Sequence, residues 1–378
     1  MVPYPQNGVG GLLPPSYASL FSRNEKRQGS QNPSLATPPL KRVSSVSTTE
    51  GRRVFLDAFR AIAAYGVTAA HYWAFQKNQG GEFWAAFFVE LFFPLSGFVL
   101  APQVLRVSAD FRNLPVFYFR RWFRTLPPYW MALSLAAILT GTWFSWGFWM
   151  YASFLQDVGH WKPSIAFYPI AWSLAVEEWF YLLFPIWMWA CARIRFRPIP
   201  AALTFCAGIQ AARLWAVATA NVDAIRTLTW LRLDAIAMGF ILWHLRNYRP
   251  GRILGGILLL IFGLSVGVLA TTYQLESLSG WQKWAFIEAA MTCSVLILGA
   301  FIRWEPLRTP AWFSCVCEWG GRVSYPLYLF HLFFLPKAEK TIPNFWLYLV
   351  GLTVFCAAFH IIVETPILRR RPSYAPQK

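Results

Sequence analysis

Asp57, Arg60 and His71 fall within one apolar stretch, residues 54–76. If that stretch crosses a bilayer as a helix, a charge at its centre costs about 3 kcal/mol, so ionisable groups there mark function by default. At about 100° per residue, the eleven steps from Arg60 to His71 leave a net rotation of about 20°. Asp57 lies within about 60° of Arg60 on the same side. One stripe thus carries a carboxylate, a guanidinium and, about 16 Å further along, an imidazole. Imidazole titrates near neutrality and suits proton abstraction from a hydroxyl. The structural alternative is an Asp57–Arg60 pair at a helix end, with His71 at the membrane interface.

Other residues extend that chemistry. Arginines cluster in Arg120-Arg121-Trp122-Phe123-Arg124, and a guanidinium fork matches phosphate oxygens. As a plain alternative they anchor a span through positive charge. Glu177 and Glu178 stand side by side in apolar sequence, where paired carboxylates have few structural reasons to be. Ser96, His331 and Glu364 are further polar groups in or at the end of apolar runs. A packing role for His331 and ordinary pairing of Glu364 with a basic residue are the alternatives there. Arg232 and Asp234 are two residues apart and cannot face each other on a helix, so each should find a partner on a neighbouring helix. The chemistry expected is a phosphate-bearing co-substrate at a guanidinium mouth, with proton transfer deeper in.

These residues need elements that hold them in a membrane. Only 13% of the 378 residues are charged and 56% are hydrophobic, whereas a soluble domain carries about 25% charged residues. The pattern predicts an all-α fold, a polytopic integral membrane bundle. Apolar stretches close to the roughly 20 residues that span a bilayer predict ten transmembrane helices, near 54–76, 82–105, 126–146, 168–190, 199–220, 229–245, 252–272, 283–303, 322–338 and 346–368. Segments 111–124 and 147–160 read as amphipathic stretches at the surface. With both termini in the cytosol, that side carries 25 Lys and Arg against 6 on the other, and three lie within spans. Such asymmetry is what the positive-inside rule requires. The net charge of +17 then reflects topology, and no nucleic-acid partner is expected. Residues 1–50, rich in Pro, Ser and Gln, read as a disordered basic cytosolic tail. Residues 51–370 form the membrane domain and 371–378 a short tail. Six cysteines without metal-ligand or disulfide spacing read as packing residues, so no metal is expected.

At these residues the sequence resembles the membrane-bound acyltransferase family 3, multi-pass O-acyltransferases of bacteria, fungi and animals. The family's basic residue and His, separated by ten residues in the first helix, are matched by Arg60 and His71. Its Leu-Asp-Gly-Leu-Arg opening stands here as Leu56-Asp57-Ala58-Phe59-Arg60, and its Phe-Phe-x-Leu-Ser-Gly-Phe block as Phe92 to Phe98. An Arg-x-x-Arg element is matched by Arg121 and Arg124, leading into Pro127-Pro128-Tyr129. The Trp-Ser-Leu-x-x-Glu-Glu-x-Phe-Tyr block runs from Trp172 to Tyr181, Ser-Tyr-x-Leu-Tyr-x-x-His from Ser324 to His331, and Val-Glu-x-Pro from Val363 to Pro366. Ala58 for Gly and Pro94 within the second block depart from the pattern. The length and the Ser/Pro-rich tail resemble fungal members associated with acylation of secondary metabolites.

The resemblance implies an acyltransferase that uses acyl-CoA as co-substrate and holds no bound cofactor. It places His71 as general base and Glu177 as the group that orients it. Arg60, Arg121 and Arg124 would meet the donor's phosphates, with Asp57, Ser96, Glu178, His331 and Glu364 in support. The acceptor would be a hydroxyl of a small natural product, a lipid or a glycan. The bilayer, the donor and that acceptor are the partners expected; the endoplasmic reticulum and the plasma membrane are not distinguished. A proton-coupled carrier is the rival reading, since intramembrane His, Glu and Arg also build proton relays. Carriers often repeat one half in the other, and no second copy of the Arg60–His71 pattern occurs.

Overall fold

The computed structural model describes residues 46–76, 80–159, 166–219, 225–247, 275–303, 309–335 and 344–372, with six further positions between 257 and 268. Among the described residues all regular structure is helical. In chain order the α-helices are α1 (Val46–Phe75), α2 (Gly81–Ala109), α3 (Leu114–Thr140), α4 (Trp146–Ala152), α5 (Ala171–Arg193) and α6 (Pro198–Thr219). They continue with α7 (Leu233–Leu245), α8 (Gly280–Arg303), α9 (Ala311–Phe330), α10 (Phe345–Phe359) and α11 (Thr365–Arg369). Most of the expected span 252–272, nearly all of the tail 1–50, and 373–378 of the other tail lie outside the described residues.

Four helical stretches are long and apolar enough to cross a membrane: α2, α6, α8 through Ile302, and the continuous run Phe345–Arg369. The outward faces agree with that reading. On α6 and α10, Trp215 is 70% exposed and Leu347 69%, a pattern that suits hydrocarbon as the surrounding solvent.

Three expected boundaries move. The segment 111–124 is not a separate surface stretch; apart from a 3₁₀ turn at Phe111–Asn113, it is the first half of α3. Pro127 and Pro128 leave the Phe123 and Arg124 carbonyls without helical donors, yet α3 continues to Gly141, whose φ of 69° closes it. The arginines therefore sit on a rigid rod. Instead of one span over 229–245, a 3₁₀ turn (Thr229–Arg232) precedes α7. α7 itself is about 20 Å long, short of the roughly 30 Å of a hydrocarbon core. Lastly, α9 starts eleven residues before the expected 322 and ends at Phe330, where a 3₁₀ turn (His331–Phe334) takes over.

α1 packs against α9 and α2, while α2 touches α5, α7 and α8 and so forms the centre of the bundle. The α2–α7 crossing brings backbone against backbone. A Cβ on Gly97 would lie 1.8 Å from the Ile236 carbonyl oxygen, and one on Gly239 1.9 Å from that of Pro94. Small residues permit this approach between membrane helices. Gly239→Ala should therefore push α7 off α2 and cost about 1–3 kcal/mol as overpacking. The effect would be read as a lower unfolding temperature in detergent, beside Gly208→Ala, whose added Cβ meets nothing within 4 Å. Equal unfolding temperatures for the two variants would refute the tight crossing.

Charged groups buried behind this crossing are paired, as the spacing of Arg232 and Asp234 requires. Arg232 bonds Glu90 of α2. Arg213 of α6 bonds Asp234 of α7, Glu288 of α8 and the Leu231 carbonyl, the last at 2.8 Å through Nε. Gln210, one turn before, donates to the same two carboxylates at 3.1 and 2.9 Å.

Candidate active site

His71 lies near the C-terminal end of α1, and His331 stands where α9 gives way to its 3₁₀ turn. His71 Nδ1 and His331 Nε2 are 3.0 Å apart, with ring centroids at 4.9 Å. His331 is fully buried. Its Nδ1 lies 2.7 Å from the Tyr328 carbonyl oxygen, and Tyr348 Oη donates to the His331 carbonyl at 3.0 Å. A carbonyl can only accept, so His331 Nδ1 carries the hydrogen. In neutral His331, Nε2 then offers a lone pair, and His71 Nδ1 must be the donor to it. That leaves His71 Nε2 unprotonated. The tautomer of His71 thus traces back to a backbone carbonyl two links away.

The arginines gather in a second place. Arg60, Arg121 and Arg124 line a cavity of about 100 Å³ together with Ser96, Glu177 and Tyr181. Arg60 donates to Asp57 at 2.8 Å, one turn earlier on α1. Arg121, 7% exposed, lies over the Tyr181 ring with its guanidinium carbon 5.6 Å from the centroid. Arg124 has no hydrogen-bond or ion-pair partner among the described residues. Three guanidinium groups and the Glu177 carboxylate thus meet at one cavity, and guanidinium forks match phosphate oxygens.

Glu177 belongs to that cavity and not to the histidines. Its Oε1 accepts from Ser96 at 2.6 Å and its Oε2 from Tyr181 at 2.9 Å. The expected orienting contact from Glu177 to His71 is absent; His331 takes that place. Glu178, about 100° further round α5, faces a different side, where it accepts from Thr125 at 2.6 Å and borders a groove lined by Trp122, Trp130 and Trp179. Glu364 closes a π-helical turn (His360–Glu364) and pairs with His360 at 2.6 Å. Asp57 and Ser96 thus adjoin the arginine cavity, His331 adjoins His71, and Glu178 and Glu364 adjoin neither histidine.

His71 lines a larger cavity of about 870 Å³. The end of α1 (Ala74, Phe75) and the start of α2 (Glu82) contribute to its walls, and Tyr328 and Val89 line both cavities. The partition there is fastened: Tyr328 Oη lies 2.5 Å from Ser173 Oγ and donates to the Ile170 carbonyl at 3.2 Å. Sequence reasoning missed Arg226 on the wall of the larger cavity, counting it as a loop charge. Its guanidinium carbon stands 5.2 Å from the centroid of Trp172. The available signal was the shortness of the link between the two apolar stretches that flank it.

A family model described as an acyltransferase domain, of the acyltransferase-3 type, matches residues 53–364. Two proteins of Staphylococcus aureus, strains COL and MSSA476, are each 24% identical over 372 residues and are provisionally named O-acetyltransferases. The alignment takes in 85% of this chain and 59% of each relative, so the chain spans about three-fifths of the curated relatives it matches. No solved structure matches it.

Proposed function

From the premise that this chain belongs to the acyltransferase-3 family of integral multi-pass membrane proteins, we propose that it moves an acyl group from acyl-CoA to an acceptor hydroxyl, with His71 as general base. The observation that carries this is the chain Tyr328 carbonyl–His331–His71, which leaves His71 Nε2 as a lone pair in a large cavity. Nε2 takes the hydroxyl proton as the oxygen attacks the thioester carbonyl carbon. A tetrahedral intermediate forms, the carbon–sulfur bond breaks, and the imidazolium returns its proton to the departing thiolate. The lone pair of His331 Nε2 supports the positive charge on His71 in between.

Arg60, Arg121 and Arg124 hold the donor's phosphates. Glu177 keeps the arginine cavity in balance and fixes Ser96 and Tyr181. The relatives' names favour an acetyl group. The acceptor is a natural product, a lipid or a glycan, and the Ser/Pro-rich tail fits a fungal member of the family. Ten spans with both termini on the cytosolic side follow from the 25-to-6 division of Lys and Arg.

Membranes carrying the protein, given isotope-labelled acetyl-CoA and hydroxylated acceptors, should yield acylated product by mass spectrometry; no donor-dependent product with any acceptor class would overturn the reading. In the same assay, Arg124→Ala should raise the donor KM about tenfold or more. A charge-assisted hydrogen bond contributes roughly 1.5–3 kcal/mol. kcat should stay within a few-fold, because a contact to a remote phosphate binds ground and transition states alike. A large fall in kcat at unchanged KM would remove Arg124 from the donor site.

A further inference from the structure

We propose that Arg226 is the acceptor-recognition residue of the His71 cavity, and that the acceptor carries an anionic group, carboxylate or phosphate, beside its reacting hydroxyl. The proposal rests on the reading of His71 as the base. Arg226 has no hydrogen-bond or ion-pair partner among the described residues; its guanidinium carbon stands over the Trp172 ring, 5.2 Å from the centroid. A guanidinium held over an aromatic ring spends none of its N–H groups on that contact, so they remain available for bidentate capture of an oxyanion. Leaving a cation unpaired on a cavity wall is costly unless something arrives to pair with it.

A second group points to the same ligand. Gln156 is 1% exposed and lines this cavity; its Nε2 donates to the Ala171 carbonyl at 3.2 Å, while its Oε1 has no partner. A buried amide oxygen without a donor awaits one, and a ligand hydroxyl supplies it. The cavity thus offers a base at His71, an acceptor at Gln156 and, at Arg226, a cation that no described residue pairs. Glu82, exposed at the rim, and Glu90 act on Arg226 through charge, but neither forms a hydrogen bond or ion pair with it. A neutral polyol would satisfy Gln156 but leave Arg226 unpaired. An acidic hydroxy compound satisfies both.

The test uses the full chain in detergent and two probes of equal shape, phenyl β-D-glucuronide and phenyl β-D-glucoside, with 3-hydroxybenzoate and 3-hydroxybenzamide as a smaller pair. Dissociation constants should favour the acid of each pair by about tenfold or more, the scale of one charge-assisted contact. Arg226→Gln should erase that preference and Arg226→Lys should keep part of it, with thermal unfolding confirming that both variants are folded. His71→Gln should keep the preference in full, because binding needs no base. Failure of the base assignment therefore leaves this result untouched, and the reverse holds. Equal affinity for acid and neutral probe, absence of saturable binding by both acids, or a preference lost in Arg124→Ala but kept in Arg226→Gln would each overturn the proposal.

Discussion

Acyl transfer by the His71→Gln variant is expected to fall by about 10²–10⁴-fold, the usual contribution of a general base. The amount of protein in the membrane should not change. Glutamine keeps a hydrogen-bonding group opposite His331 but cannot take a proton. If His71 merely packed against His331, the loss would be a few-fold at most. The partner residue sharpens the comparison. His331→Gln offers an amide that can donate to the Tyr328 carbonyl and accept from His71, so it should retain more activity than His331→Leu, which removes the ring nitrogen that faces His71. Rates are read at matched expression with labelled acetyl-CoA. Activity of His71→Gln within a few-fold of the parent would return the residue to a structural role.

The second large effect concerns folding. Arg213→Ala removes the cation that joins Asp234, Glu288 and the Leu231 carbonyl, and it leaves two carboxylates with only Gln210 between them. Breaking a buried pair by deleting one partner costs about 3–5 kcal/mol, since the remaining charge is uncompensated. Three helices, α6, α7 and α8, meet at this guanidinium. The variant should show a markedly lower unfolding temperature and poor recovery from detergent. Restoring neutrality with Asp234→Asn and Glu288→Gln in the same chain should regain part of the loss. An Arg213→Ala protein as stable as the parent would show that the network contributes nothing.

How much of this arrangement the sequence reveals depends on the distance over which each relation acts. The Asp57–Arg60 contact is a single helical turn and follows from spacing. That Arg232 and Asp234 must look to other helices follows from their separation by two. His71 announces itself as a base candidate because it is ionisable in an apolar run. Its partner does not, because His331 lies 260 residues away and depth alone cannot rank it above Glu177. Depth places both near His71; the rotation of each helix about its own axis decides, and rotation is set by packing. The same limit hides Arg226, whose value comes from the Trp172 face and a cavity wall that only the folded bundle creates. The basic, amphipathic character of 111–124 suggests a surface stretch, yet it merges into α3, which runs on through Pro127 and Pro128 as a continuous rod.

Tyr328 and Val89, which line both hollows, have an electrical consequence. If each hollow fills with water from its own side of an energised membrane, the voltage falls across the solid protein that separates them. Where that solid is thin, the field is concentrated. Moving one elementary charge through the full drop changes its energy by about 2.3 kcal/mol per 100 mV. A loose, hydrated gap at this point would leak protons down the gradient. The short link between Tyr328 and Ser173, with the Tyr328 bond to the Ile170 carbonyl, holds these dipoles in place between the two cavities. In such a membrane the tyrosine at the meeting point of the two cavities would act as insulation between them.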